Sequence, residues 1–266
     1  VKKSSFRRPP GARRTVSTAA AMGLAAVLAV VCVACGQTKS GNTAEGGSGN
    51  PAPTGAVAVG SDVTASVNKL VVAEELSMSG YSREKFPHWD TNPQSHGFDA
   101  KFAQYSKCTT RDVMMLRDST GSVTLDPKTC DLKVGKGGGW QDQYGVLDAK
   151  TGKLKPYKFI TDPAGVDAEH IVPLAEAWRS GASKFDEATR QNIANDAINL
   201  IASDPSANRS KGDQDAAHYL PPGAFRCGYL DHYVQIKIKY NLTVDNDELK
   251  ALRTAVDDCV KQGGFR

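Results

Sequence analysis

The segment VDAEHIVPL, residues 166–174, sets Glu169 and His170 side by side where a short apolar strand meets Pro173. Asn199 follows in the apolar run INLIAS, and Asn208 and Lys211 lie just beyond it in DPSANRSKGD. A carboxylate and an amide oxygen are hard ligands of the kind that hold a divalent cation. Such a cation can stabilise charge on a phosphodiester and help its leaving oxygen. A neutral imidazole, titrating near pH 6.5 when unperturbed, can take a proton from the attacking water. The chemistry these residue types suit is metal-assisted phosphodiester hydrolysis. An acid–His pair standing alone is more often a solvated strand end, so the inference rests on Asn199, Asn208 and Lys211 accompanying it.

These residues need elements to position them. Neighbours on a strand point to opposite faces, so Glu169 and His170 can share a site only where the strand twists or ends, and Pro173 fits such a break. INLIAS predicts the next strand. Asp204 then predicts a helix cap with Pro205 at the first helical position, which puts Asn208 and Lys211 in the first turns. Strand, strand, helix, with the acid–His pair on the first and an Asn on the last, is the order of a ββα-metal nuclease finger.

EHIVPLAEAW followed by NLIASDPSANRSKGD resembles an HNH endonuclease. In particular it resembles the family forming the C-terminal domain of GmrSD-type restriction endonucleases, in its secreted actinobacterial form. GYSREKFPHW (80–89), CTTRDVMML (108–116), YLPP (219–222) and the helices bearing Cys227 and Cys259 also look like the exported members. The likeness covers about 79–259. It implies His170 as general base, Glu169 and Asn208 as ligands of one divalent ion (Mg2+, with Mn2+ the alternative), and Asn199 as the brace of the finger. It also implies that Lys211 sits beside the phosphate. Exported relatives and many HNH enzymes have Asp before the His, whereas this chain has Glu169, as the restriction-enzyme branch does. The implied partner is nucleic acid, DNA first, with no obligate protein partner.

Bulk composition locates the protein without pointing to nucleic acid. Residues 1–18 carry six basic and no acidic side chains, and 19–34 are the small and apolar run AAAMGLAAVLAVVCVA. This predicts an export signal over 1–35. Cys35, between Ala34 and Gly36, resembles a lipobox cysteine, so Cys35 is the expected lipidation site, anchoring the protein to the outer face of the membrane; cleavage and release is the alternative. Six of the 33 basic residues fall in the signal, leaving 27 against 29 acidic ones, so the basic balance of the whole chain belongs to the signal. Any nucleic-acid binding must come from a local patch.

Residues 36–60 are rich in Gly, Pro and Ser and predict a tether. Beyond it the pattern predicts one α+β domain over 61–266, with the finger at about 159–215. Short strands are expected in VMMLRD, SVTLD and KPYKFI, and helices over DEATRQNIANDA, 224–240 and from Asp245 onward. Four cysteines remain after the signal, and in an exported chain they imply disulfides. Of three pairings, Cys108–Cys130 with Cys227–Cys259 is favoured, because antiparallel C-terminal helices would bring the last two together. Lys153 and Lys155 would share a strand face leading toward the site. They suit phosphate tracking as well as a solvated edge strand, and Arg209 is a further phosphate contact. Two functional classes remain: an exported metal-dependent nuclease with little sequence specificity, or a surface lipoprotein that keeps an inactive finger as scaffold.

Overall fold

Capping residues decide where several helices begin in the computed structural model, which describes residues 60–265. The expected export signal, the lipidation site Cys35 and all but the last residue of the tether lie outside these residues. The elements run α1 (Gly60–Val67), α2 (Thr110–Arg117), β1 (Val123–Leu125), β2 (Leu132–Val134), β3 (Trp140–Gln141) and β4 (Phe159–Ile160). They continue with β5 (Asp167–His170), α3 (Leu174–Arg179), α4 (Glu187–Asn195), β6 (Leu200–Ser203), α5 (Pro205–Lys211), α6 (Arg226–Lys239) and α7 (Asn246–Lys261). At the start of α5 the Asp204 carboxylate accepts from the N–H groups of Ser206 and Ala207, and Pro205 takes the first helical position. Asp245 opens α7 by accepting from the N–H of Glu248.

The expected strand in VMMLRD is instead part of α2. Thr109 and Asp112 form a reciprocal capping box ahead of it, and Val113, Met114 and Met115 are buried. The region from 98 to 160 therefore holds little sheet: β1 pairs with β2, and β3 pairs with β4 over two residues each. Only the last two residues of KPYKFI are extended in a ladder. Lys153 and Lys155 flank Leu154, whose single bridge to Leu147 is not a strand, so the shared strand face expected for them is absent.

The ribbon that matters is β5 against β6, antiparallel, with Glu169 opposite Ile201 and His170 opposite Leu200. Every residue of β6 is buried, because both faces of the ribbon are covered. Leu200 and Ala202 join one core with Phe98, Phe102, Met114 and Trp140. Ile201 joins the other, with Ile171, Trp178, Tyr229 and Val256. Alternation along β6 thus gives each core its own side of the ribbon. Arg117 of α2 fixes the entry to β6 by donating to the carbonyls of Ala197 and Leu200, both at 2.6 Å.

Helices α3, α6 and α7 meet around Lys237. Its buried ammonium donates to Glu176 and Ser180 at 2.7 Å and to the Thr243 carbonyl at 2.8 Å, and it pairs with Glu248. The disulfides join Cys108 to Cys130 and Cys227 to Cys259, the second tying the start of α6 to the end of α7. They close sequence separations of 22 and 32 residues. Reduction should therefore cost about 3–4 kcal/mol per bond in the chain-entropy model. Urea melts with and without dithiothreitol measure this, and coincident midpoints would show that the bonds add nothing. Among the described residues no helix is long and apolar enough to cross a membrane.

Candidate functional site

Helix α5 lies along the face of β5 that carries Asp167 and Glu169, and two contacts join them. Asn208 Nδ2 donates to Asp167 Oδ2 at 2.9 Å. One helical turn on, the Lys211 ammonium donates to Glu169 Oε1 and, at 2.9 Å, to the His170 carbonyl. Spacings of two on a strand and three on a helix put each pair on one face, so the contacts form successive rungs. Lys211 is wholly buried. Its expected place beside a phosphate is therefore not where the side chain lies: its stem runs through the interior and its charge goes to Glu169.

Glu169 is 7% exposed, and that burial raises its pKa, opposed by the charge and hydrogen bond of Lys211. Burial likewise lowers Lys211, opposed by Glu169. The pair is held by each partner compensating the other's lost hydration. One Glu169 oxygen is engaged by Lys211, and the backbone N–H of His170 also bears on the carboxylate. Asn208 spends its amide N–H on Asp167, so its Oδ1 is left without a partner among the described residues. Glu169 Oε2, Asn208 Oδ1 and the remaining oxygen of Asp167 are hard donors suited to Mg2+ or Mn2+. By chemistry these donors suit such an ion; among the described residues the acidic ligand atoms that lie within 4.8 Å of one another are those of Glu75, Asp215 and Asp245.

His170 takes other partners. It is 3% exposed, its ring lies 6.0 Å from that of Trp89 at an angle of 18°, and Nε2 is 2.9 Å from the Ala194 carbonyl at the end of α4. A carbonyl can only accept, so Nε2 carries the hydrogen and Nδ1 keeps its lone pair. Burial is the main cause that lowers the pKa to about 3, with the Ala194 bond opposing and the charges of Arg83, Lys211 and His88 adding to the drop. The unperturbed titration near 6.5 expected from sequence is thereby displaced. Burial thus favours the neutral ring.

Asn199 sits one residue before β6 and is fully buried. Its Oδ1 accepts from the Val172 N–H at 2.8 Å and its Nδ2 donates to the Ile193 carbonyl at 2.9 Å. It thus ties the exit of β5 to the end of α4, the two segments that flank His170. Asn199→Ala strands a buried donor and a buried acceptor, so it should cost about 2–4 kcal/mol of stability. A urea midpoint equal to the parent's would remove Asn199 from the frame.

Arg209 is exposed on α5, and Lys153 and Lys155 are exposed. Lys155 lies 3.9 Å from Asp148, a loose surface contact. Lys158, from the same stretch, is committed to Asp204 at 2.7 Å. Three participants escaped the sequence reading. Asp167 could have been found from its spacing of two before Glu169. Trp89 and His88 close the motif GYSREKFPHW, but their place at the site could not be read from it: the His88 ring stands edge-on to Trp89 at 5.0 Å, and the Trp89 ring stacks on His170. Arg83, within the motif GYSREKFPHW, is exposed, and its charge bears on both Glu169 and His170.

The strands β5 and β6 pair antiparallel and α5 follows, with Glu169 and Asn208 at the β5–α5 seam and the His170 ring against Trp89 and Ala194. The sequence matches the family model "GmrSD restriction endonucleases, C-terminal domain" over residues 109–255, and the chain belongs to that family. It is also 33% identical over 193 residues to a protein of Arthroderma benhamiae described as an uncharacterized secreted protein, covering 71% of this chain and 81% of that one. No solved structure matches it. The segment bearing Arg83, His88 and Trp89 lies outside the family match yet packs on His170.

Proposed function

We propose that this protein is an exported endonuclease of the HNH type that hydrolyses DNA phosphodiesters with the help of one divalent ion and with little sequence preference. The observation that carries the reading is His170, whose Nε2 is committed to the Ala194 carbonyl and whose Nδ1 keeps its lone pair, on the strand whose Glu169 meets α5. In this reading Nδ1 takes the proton of the attacking water. Glu169 and Asn208 hold the ion, which supplies charge stabilisation at the phosphate and the leaving oxygen. Asn199 keeps the His170 segment in place. Lys211 keeps Glu169 ionised and aimed, so it acts through Glu169 rather than on phosphate.

Arg209, Lys153 and Lys155 are exposed cations that suit phosphate contact. Phosphate contact carries no sequence information, and reading bases needs an element set in a groove. Low specificity follows from that. Export agrees with the leader pattern and with the secreted relative, and in this reading Cys35, from its lipobox-like setting alone, is the anchoring cysteine.

One observation favours a second reading, an inactive finger in a surface lipoprotein. The Lys211 ammonium already occupies one Glu169 oxygen. Incubating the purified mature protein with supercoiled plasmid, with Mg2+ or Mn2+ and with EDTA, separates the two. Nicking in both metals and none in EDTA supports the nuclease, and intact plasmid in all three supports the scaffold.

A further inference from the structure

The His170 imidazole is held at one point and in one plane. Its Nε2–H donates to the Ala194 carbonyl at 2.9 Å, and the Trp89 ring is stacked on it at 6.0 Å and 18°. The lone pair of Nδ1 lies in the plane of the ring, so a partner on the ring's face restrains the imidazole without competing for that lone pair. The hydrogen bond alone would leave the ring free to swing about the line from Nε2 to the carbonyl oxygen. The stack stops that swing, and point and plane together fix the direction in which Nδ1 faces.

Both restraints belong to one frame. Asn195, the residue after Ala194, is fully buried, and its amide is satisfied on both sides. Oδ1 accepts from the Asp90 N–H at 2.8 Å and from the Thr110 hydroxyl at 2.7 Å. Nδ2 donates to the carbonyls of Pro87 and Gln191, both at 2.8 Å. Pro87 and Asp90 bracket His88 and Trp89, so one side chain ties both ends of the stacking segment to the helix end that offers the Ala194 carbonyl. Asp90 is held further by its own carbonyl, which accepts from the Thr110 N–H at 2.8 Å, and by its carboxylate, 2.9 Å from His96 Nε2. Trp89 has a φ of 65°, in the left-handed region that bulky side chains rarely take. Such strain persists where the surroundings over-determine it, and it gathers at functional sites. Here the bonds on either side of Trp89 hold it, and the ring it presents lies on His170.

We propose that Trp89 and Asn195 are positioning residues for His170, Trp89 setting the plane of the imidazole and Asn195 holding Trp89 and the Ala194 carbonyl in a single frame. This rests on the reading of His170 as the base. Both residues act through His170, on the direction of its Nδ1 lone pair, and not on the phosphate. A base turned away from the attacking water loses rate without losing substrate, and a misplacement of about 1 Å can cost about 100-fold.

The test is made at Trp89, which is half-buried where Asn195 is fully buried, so its truncation is the milder lesion. Trp89→Leu and Trp89→Phe are compared with the parent and with His170→Ala in the purified mature protein. Two readouts are taken: kcat and KM on a short DNA duplex with Mg2+, and NMR of the His170 ring nitrogens with neither metal nor substrate. Trp89→Leu is expected to lower kcat about 10- to 100-fold with KM unchanged, and to lose the single Nε2–H pattern of the parent ring. Trp89→Phe keeps a ring on the imidazole face and should restore most of both. A leucine variant with the parent's kcat, while His170→Ala is slow, overturns the proposal and leaves the base reading standing. A fall in kcat with the parent's ring-nitrogen pattern, or a raised KM with unchanged kcat, gives Trp89 another role and also overturns it. A parent that cuts no DNA, or a His170→Ala protein as fast as the parent, removes the base reading and the proposal with it.

Discussion

His170→Ala is expected to slow plasmid nicking by about two to four orders of magnitude, the usual loss for a general base. The substitution empties a space beside Trp89 and strands the Ala194 carbonyl, so some stability goes with it. Rates are therefore compared well below both melting points. Added imidazole should restore part of the rate by entering the vacated space. A variant that nicks at the parent rate excludes His170, and a slow variant that imidazole does not rescue makes its role structural. The pH profile gives an independent check. With the folded pKa lowered to about 3, the base is available across the whole range above that value, so protonation of His170 imposes no fall near pH 6. Stability behaves differently. Between the unfolded pKa near 6.5 and the folded value near 3, the unfolded chain holds a proton that the folded one refuses. Stability from this group is complete above pH 6.5 and is lost on acidification, by about 1.4 kcal/mol per pH unit. His170→Ala should lack that slope.

Local chemistry made part of this frame legible. Asp204 and Pro205 mark the start of α5, and Asp245 marks α7, because capping and the missing proline N–H act within one turn of chain. The strand at LIAS, bounded by Asn199 and Asp204, was readable for the same reason. VMML was not, since a four-residue apolar run suits a strand and a buried helix turn equally. The deciding signal, Thr109 with Asp112, stood just upstream and acts only through its hydrogen bonds. Lys211 was misplaced because sequence spacing sets the face of a helix but not what covers it. The cover comes from β5, where Glu169 and the His170 carbonyl take its ammonium. Trp89 reaches His170 from eighty residues away, a contact that no local pattern encodes.

Lys211→Met should destabilise the protein by about 3–5 kcal/mol at pH 7.5, because breaking a buried pair leaves the other charge without compensation. Lys211 is wholly buried and Glu169 nearly so, and the methionine keeps most of the stem while removing the ammonium. The sign of the pH dependence follows from Glu169. Its folded pKa is already raised by burial, and loss of Lys211 removes the largest influence opposing that rise. A group raised in the folded state contributes stability below its unfolded pKa and loses it as pH climbs through the folded one. The variant should therefore recover toward the parent on moving from pH 7.5 to pH 5. Adding Glu169→Gln to Lys211→Met should restore much of the loss at pH 7.5, since the double variant buries no unpaired charge. Thermal melts of the parent, Lys211→Met, Glu169→Gln and the double variant at the two pH values form a complete cycle. A Lys211→Met protein that melts like the parent at pH 7.5 would mean that the pair is neither buried nor charged in solution. Mn2+ completes the argument. A divalent ion at Glu169 would replace the missing positive charge, so Mn2+ should raise the melting temperature of Lys211→Met more than that of the parent. Equal shifts would show that Glu169 is tied to Lys211 for structure alone.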